Sequence, residues 1–140
     1  MSDRDGFSTV QRVRFGDLDA LGHLNNVEFL RLFETARVDF VAHVAPADQP
    51  GKVSEFTFIL AECHIHYRSQ AHWDEEIRTW IRPAELKRAS FKLTFEMRAE
   101  RDDRLVAEGF GVMVTYDLEA GRTIRVPHKL RARLEPLLAR

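Results

Sequence analysis

The chain holds one cysteine, Cys63, so no disulfide can close within it. No apolar stretch approaches the ~20 residues that a membrane-spanning helix needs, and no charged start leads into a signal-peptide core. Neither sign of charge dominates: 21 Lys and Arg face 22 Asp and Glu, for a formal charge of −1. That balance gives no electrostatic case for nucleic acid or an anionic membrane as partner. Internal repeats and low-complexity segments are also missing. What remains is 140 residues with 44% hydrophobic content, enough to bury a core without metal or disulfide staples. The expectation is a single cytoplasmic domain spanning residues 1–140.

Hydrophobic periodicity then divides the chain. Residues 8–15 fit a first strand, with Val13 and Phe15 on one side and Arg12 and Arg14 on the other. From Asn26 to about His43 the apolar positions Val27, Leu30, Phe33, Ala36, Phe40, Val41 and Val44 keep helical spacing, widened by Phe29 and Leu32, which implies a deeply buried helix. Pro46 and Pro50-Gly51 form a connector. Beyond it, 56–67, 77–82, 91–98 and 105–116 read as strands, the third and fourth joined by a turn at Arg101–Arg104. Gly109 and Gly111 share a face of the last strand, suggesting close approach of the helix. Val126-Pro127 opens a short terminal helix carrying Leu130, Leu134 and Leu138, interrupted by Pro136. A strand, a long helix and four successive strands make an α+β fold, one curved and mainly antiparallel sheet wrapped around one helix. One helix covers only one face, so bare edges or the outer face favour a second copy.

The informative segment is Arg14–Phe29, which sets two carboxylates and a histidine immediately before a helix start. Asn25 reads as the N-cap, Glu28 three residues on completes a capping-box variant, and Leu24 with Phe29 has the spacing of a hydrophobic staple. The first free N–H groups of the helix, at its positive dipole end, therefore lie near Asp17, Asp19 and His23, with Gly22 allowing the tight loop. A base or nucleophile and an oxyanion site become neighbours.

These residues resemble the hotdog-fold acyl-CoA thioesterases, in particular the 4-hydroxybenzoyl-CoA thioesterase-like group. The resemblance rests on Arg14, Phe15, Asp17, Asp19, Gly22, His23, Leu24, Asn25, Asn26 and Phe29, followed by Phe33-Glu34-Thr35-Ala36-Arg37. The dense motif covers 14–37, and the order of elements agrees over roughly 8–126. The resemblance implies a hotdog fold and hydrolysis of an acyl-CoA to free acid and CoA. Asp19 then aligns with the catalytic carboxylate and the Asn26 N–H with the donor that polarises the thioester carbonyl. His23 joins them as a group that orients water or the thioester, while Gly22, Asn25 and Phe29 are expected at the substrate. The implied assembly is a homodimer or homotetramer with each site at a subunit interface, and no cofactor is implied. The chain departs from the pattern at Tyr67-Arg68-Ser69-Gln70, which lacks the usual proline, and at Leu21, where carrier-protein thioesterases have a polar residue. Two alternatives stay open: a thioesterase for acyl carrier protein, docked by the basic residues from Arg122 to Arg133, and an acyl-binding module without turnover.

Other constellations carry bland readings. Asp17 is expected to be a structural partner, with Arg14 the candidate to receive it. Glu62, His64 and His66 share one strand face, which invites zinc, but an interface or surface role fits better. Cys63 reads as a small buried hydrophobe rather than a nucleophile. Glu34 and Arg37 have ion-pair spacing and, on a buried helix, would meet a partner subunit. Phe56, Phe58 and Leu60 are expected at a hydrophobic binding surface.

Overall fold

The computed structural model describes residues 6–138. Its order is β1 (Phe7–Arg12), α1 (Asn26–Val44), β2 (Phe58–Tyr67), β3 (Glu76–Ala84), β4 (Ser90–Ala99), β5 (Leu105–Asp117), β6 (Arg122–Thr123) and α2 (His128–Leu134). The strands form one antiparallel sheet in the order β1-β3-β4-β5-β2, with β6 paired to the end of β5. This is the expected hotdog arrangement, one long helix laid across a curved sheet.

Burial follows the sequence pattern. Along β4, Phe91, Leu93, Phe95, Met97 and Ala99 are buried while their neighbours are half-buried, the period-two alternation of a sheet with one covered face. From α1, Phe29, Leu32, Phe33, Ala36, Phe40 and Val41 enter the same core. Phe33 sits 4.2 Å, centroid to centroid, from Phe95. Polar clips fix the helix to β1: Gln11 Nε2 donates to the Leu32 carbonyl at 2.9 Å, and Thr9 Oγ1 to Asp39 at 3.0 Å. The far end of α1 is closed by α2, whose Leu130 and Leu134 are buried and whose Arg133 donates to the Val44 carbonyl at 3.0 Å. A cation on the last carbonyls of a helix satisfies groups the helix itself leaves open.

Four local expectations change. The first strand ends at Arg12, and Phe15 belongs to a 3₁₀ turn at Phe15–Asp17 where it is 79% exposed, because the chain bends to bring Asp17 inward. The Glu28 carboxylate does not fold back on the Asn25 N–H; it takes a hydrogen bond from Arg31 Nε at 2.7 Å, and Asn25 caps alone. Of the two glycines, Gly111 faces the helix, where an added Cβ would stand 3.0 Å from Phe33, whereas Gly109 lies against the His64 carbonyl of β2. The terminal helix stops at Leu134 and continues as a 3₁₀ turn through Leu137, leaving Leu138 beyond it.

Candidate active site

The loop between β1 and α1 is built around Asp17. Its Oδ2 accepts from the Arg14 N–H at 2.8 Å and from Arg31 Nη2 at 2.9 Å, while Oδ1 accepts from Arg14 Nη2 at 2.9 Å. The Asp17 carbonyl also accepts from Asn25 N at 2.9 Å, tying the loop entry to the helix cap. Burial alone pushes this carboxyl upward, but the Arg14 hydrogen bonds and the charges of Arg31 and Arg14 together hold it below the usual carboxylate range. The structural role expected for Asp17 is thus filled by two arginines.

Asp19, two residues on, is solvent-facing. Its Oδ1 accepts from the N–H groups of Leu21 at 2.9 Å and His23 at 3.1 Å, and its own N–H donates to the His23 carbonyl at 2.8 Å. These bonds fold the loop into a tight turn closed by Gly22, whose φ of 81° is readily reached only without a side chain. Oδ2 receives no hydrogen bond from the described residues. The backbone bond from His23 is the main cause that holds the carboxyl below its ordinary value, with the Leu21 N–H adding to it, so Asp19 is ionised at neutral pH.

The helix start lies directly beyond. Asn25 Oδ1 accepts from Val27 N at 3.1 Å and its carbonyl from Glu28 N at 2.8 Å. The Asn26 N–H, which no intrahelical acceptor can reach, finds no partner among the described residues. Leu24, before the cap, is buried with Phe29 as a staple requires.

A hollow of about 300 Å³ gathers Asp19, His23, Asn26 and Phe29 on one side and Tyr67 to Gln70 on the other. Gly22 and Asn25 shape the loop and cap behind this lining. Tyr67, missed at the sequence level, donates its hydroxyl to the Asn26 carbonyl at 3.3 Å and meets Phe29 edge to face at 5.2 Å. The signal available was the aromatic ending β2 ahead of the irregular Arg68-Ser69-Gln70 segment. His72, also missed, pairs its backbone with that of His23 and sets its ring 5.6 Å from the His23 ring. Buried Glu75 holds this second wall, accepting from His72 N at 2.8 Å and Arg104 Nη2 at 2.7 Å.

The other constellations fall elsewhere. His64 and His66 stack at 4.9 Å on β2, and among the described residues no group of three or more His, Cys, Asp or Glu is placed to hold a metal ion. Cys63 is half-buried, and burial pushes its thiol up. Lys129 pairs with Glu55 at 2.9 Å, while Arg131 donates to the Lys87 carbonyl at 2.6 Å. Much of the C-terminal charge is therefore engaged within the fold; Arg140 lies outside the described residues. No helix among the described residues is long and apolar enough to cross a membrane.

Comparison with known proteins bears on what this arrangement does. A family model described as the thioesterase-like superfamily matches residues 13–134. The chain is 25% identical over 130 residues to the long-chain acyl-CoA thioesterase FadM of Escherichia coli K12, covering 93% of this chain and 98% of that protein. It is 24% identical over 129 residues to the acyl-CoA thioesterase YbgC of Haemophilus influenzae, covering 91% and 93%. A thioesterase from Thermus thermophilus, solved with coenzyme A and zinc, superimposes with a TM-score of 0.80 at 29% identity, over 91% of this chain and 96% of that one.

Proposed function

Because the chain belongs to the thioesterase-like superfamily, we propose that the hollow at the start of α1 hydrolyses an acyl-CoA thioester to the free acid and coenzyme A. The observation that carries this reading is the placement of an ionised Asp19 beside the unpaired Asn26 N–H in one hollow. A thioester carbonyl is electrophilic enough that a carboxylate and a preorganised donor suffice without a Ser-His-Asp triad.

In this reading the thioester carbonyl oxygen points at the Asn26 N–H, aided by the positive end of the helix dipole. Asp19 either attacks the carbonyl carbon, giving an acyl-enzyme anhydride that water opens, or takes a proton from water as that water attacks. Both routes collapse by breaking the C–S bond, and the coenzyme leaves as the thiolate. The backbone hydrogen bonds that lower the proton affinity of Asp19 keep it charged, the form that both routes require. His23 orients the thioester or the water, and Phe29 with Tyr67 gives the acyl group an apolar wall. Gly22 and Asn25 serve by fixing the loop and cap from which these groups project.

Coenzyme A in the Thermus thermophilus neighbour supports a CoA leaving group. The internal engagement of Lys129, Arg131 and Arg133 weighs against a carrier-protein docking surface at the C-terminus. The same reading takes residues 1–140 as one cytoplasmic domain acting as a homodimer or homotetramer. Support for assembly comes from α1, which exposes Val27, Leu30 and Val38 along one face, and from β2, an outermost strand with only β5 beside it.

Thiol release from short aliphatic, long aliphatic and aromatic acyl-CoAs tests the proposal. Wild type should turn over at least one class, and Asp19→Asn should lose about 10²- to 10⁴-fold in rate. Equal rates in both proteins would remove Asp19 from the chemistry. Saturable binding of acyl-CoA without thiol release by wild type would leave the non-catalytic module.

A further inference from the structure

A second cavity, of about 440 Å³, opens between the middle of α1 and the start of β2. Its walls are mostly apolar, with Val38 and Val41 from the helix facing Phe56, Phe58 and Leu60 and Met113 between them. Phe56, Phe58 and Leu60 are the residues expected at a hydrophobic binding surface. Set into this apolar wall is Arg37, 8% exposed.

The arginine is short of partners. Its Nε and Nη1 are buried with no hydrogen-bond acceptor among the described residues. Its ion pair with Glu34 is long, 3.8 Å from Nη2, and Glu34 itself is 69% exposed. The guanidinium instead lies over the Phe33 ring, 4.7 Å from its centroid. Cys63 supplies no counter-charge, because burial keeps it a thiol. Lys52 adds a second cation at the cavity lining. Leaving charged N–H groups buried and unpaired is expensive, and the cost disappears when a carboxylate meets the guanidinium fork with two parallel bonds. Dispersion and apolar burial along Val38, Val41, Phe56 and Phe58 then hold whatever hydrocarbon the carboxylate carries.

We propose that this cavity binds an amphipathic carboxylate, an apolar chain or ring whose acid group is received by Arg37. Nη2, nearest the Glu34 side, meets the entering carboxylate first, and rotation about the outer side-chain torsions turns a second N–H to the other oxygen. Two sources share this chemistry: a free carboxylic acid, the product class of the proposed hydrolysis, and a carboxylate at the far end of an acyl group still esterified to CoA. Only the second source rests on the proposed hydrolase activity.

Calorimetric titration of the full-length protein with decanoate, with decan-1-ol as the uncharged control, tests the free-acid source. In parallel, kcat/KM for the CoA ester of a ten-carbon dicarboxylic acid is compared with that for decanoyl-CoA. Arg37→Met should weaken the favoured ligand at least about tenfold, and Arg37→Lys should restore part of the loss. Val53→Trp, at a half-exposed position of the lining, should block the cavity without touching the arginine. Decanoate binding that Arg37→Met abolishes assigns the free acid. A dicarboxylic preference lost in the same variant, read as the ratio of the two kcat/KM values, assigns the distal carboxylate. Equal binding of decanoate and decan-1-ol, or no effect of either substitution in a folded protein, overturns the proposal while leaving thioester hydrolysis standing. So does dissociation of the oligomer by Arg37→Met without any carboxylate binding, since the acceptor would then belong to a second copy.

Discussion

Two aspartates separated by one residue meet opposite fates, and the difference lies in what surrounds each. Asp17 points inward, 1% exposed, and pairs with Arg14 and Arg31, whereas Asp19 points outward and is held only by backbone N–H groups. Removing Asp17 leaves the Arg14 guanidinium and N–H without their acceptor and Arg31 with Glu28 alone. Asp17→Ala should therefore cost about 3 kcal/mol in chemical denaturation. Because its carboxyl titrates lower in the folded chain than in the unfolded one, the linked stability is full above the unfolded value and lost as pH falls through the folded one. Acid unfolding of wild type should consequently steepen below about pH 4, and the Asp17→Ala profile should lack that limb. A variant with wild-type stability and an unchanged acid limb would show that the two arginines do not depend on this carboxylate. The pairing of Asp17 with Arg14 was legible from three-residue spacing; the contribution of Arg31 was not, since it arrives from the helix fourteen positions away.

At the scale of elements, β5 shows how one sequence feature acquires two meanings. Gly109 and Gly111 share a face, yet an added methyl at Gly111 meets the end of the Leu60 side chain at 2.9 Å and the Phe33 ring at 3.0 Å, while at Gly109 it runs into the His64 carbonyl. A side chain can shift by a few tenths of an ångström, but a paired backbone cannot without separating β2 from β5. Gly111→Ala should cost about 1–2 kcal/mol, and Gly109→Ala more than that, by urea midpoints. The reverse ranking would mean that the helix, not the strand, is the unyielding neighbour. In the same way the helix start was readable from Asn25, but the partner of Glu28 was not. A carboxylate at the third helical position has two acceptable destinations, and the presence of Arg31 one turn on decides between them.

For the whole molecule, the outer face of α1 bears on assembly. Val27, Leu30 and Val38 line an exposed face of α1, 68%, 44% and 41% exposed, interrupted only by Glu34 at this spacing. Placing charge there should cost a lone protomer less than in the core, because these side chains are already partly solvated. If the proposed assembly forms through this face, a Leu30→Glu, Val38→Glu double variant should sediment as a monomer at concentrations where wild type associates, and thiol release should fall with it. Wild type that sediments as a monomer with full turnover would remove the second subunit from the proposed mechanism.

The sequence by itself determined the α+β class, the succession of a strand, one long helix and four further strands along the chain, the helix start at Asn26 and the gathering of Asp19, His23 and Asn26, all consequences of short-range periodicity and capping chemistry. Tertiary structure decided what depends on segments distant in the chain. It set Tyr67 against Asn26 and His72 against His23, bringing the end of β2 and the following loop to the helix start across more than 40 residues. It also left Arg37 buried without a close acceptor. Spacing identified Glu34 as its natural partner, but spacing carries no information about depth, and Glu34 ends in solvent while the Arg37 guanidinium stays beneath it.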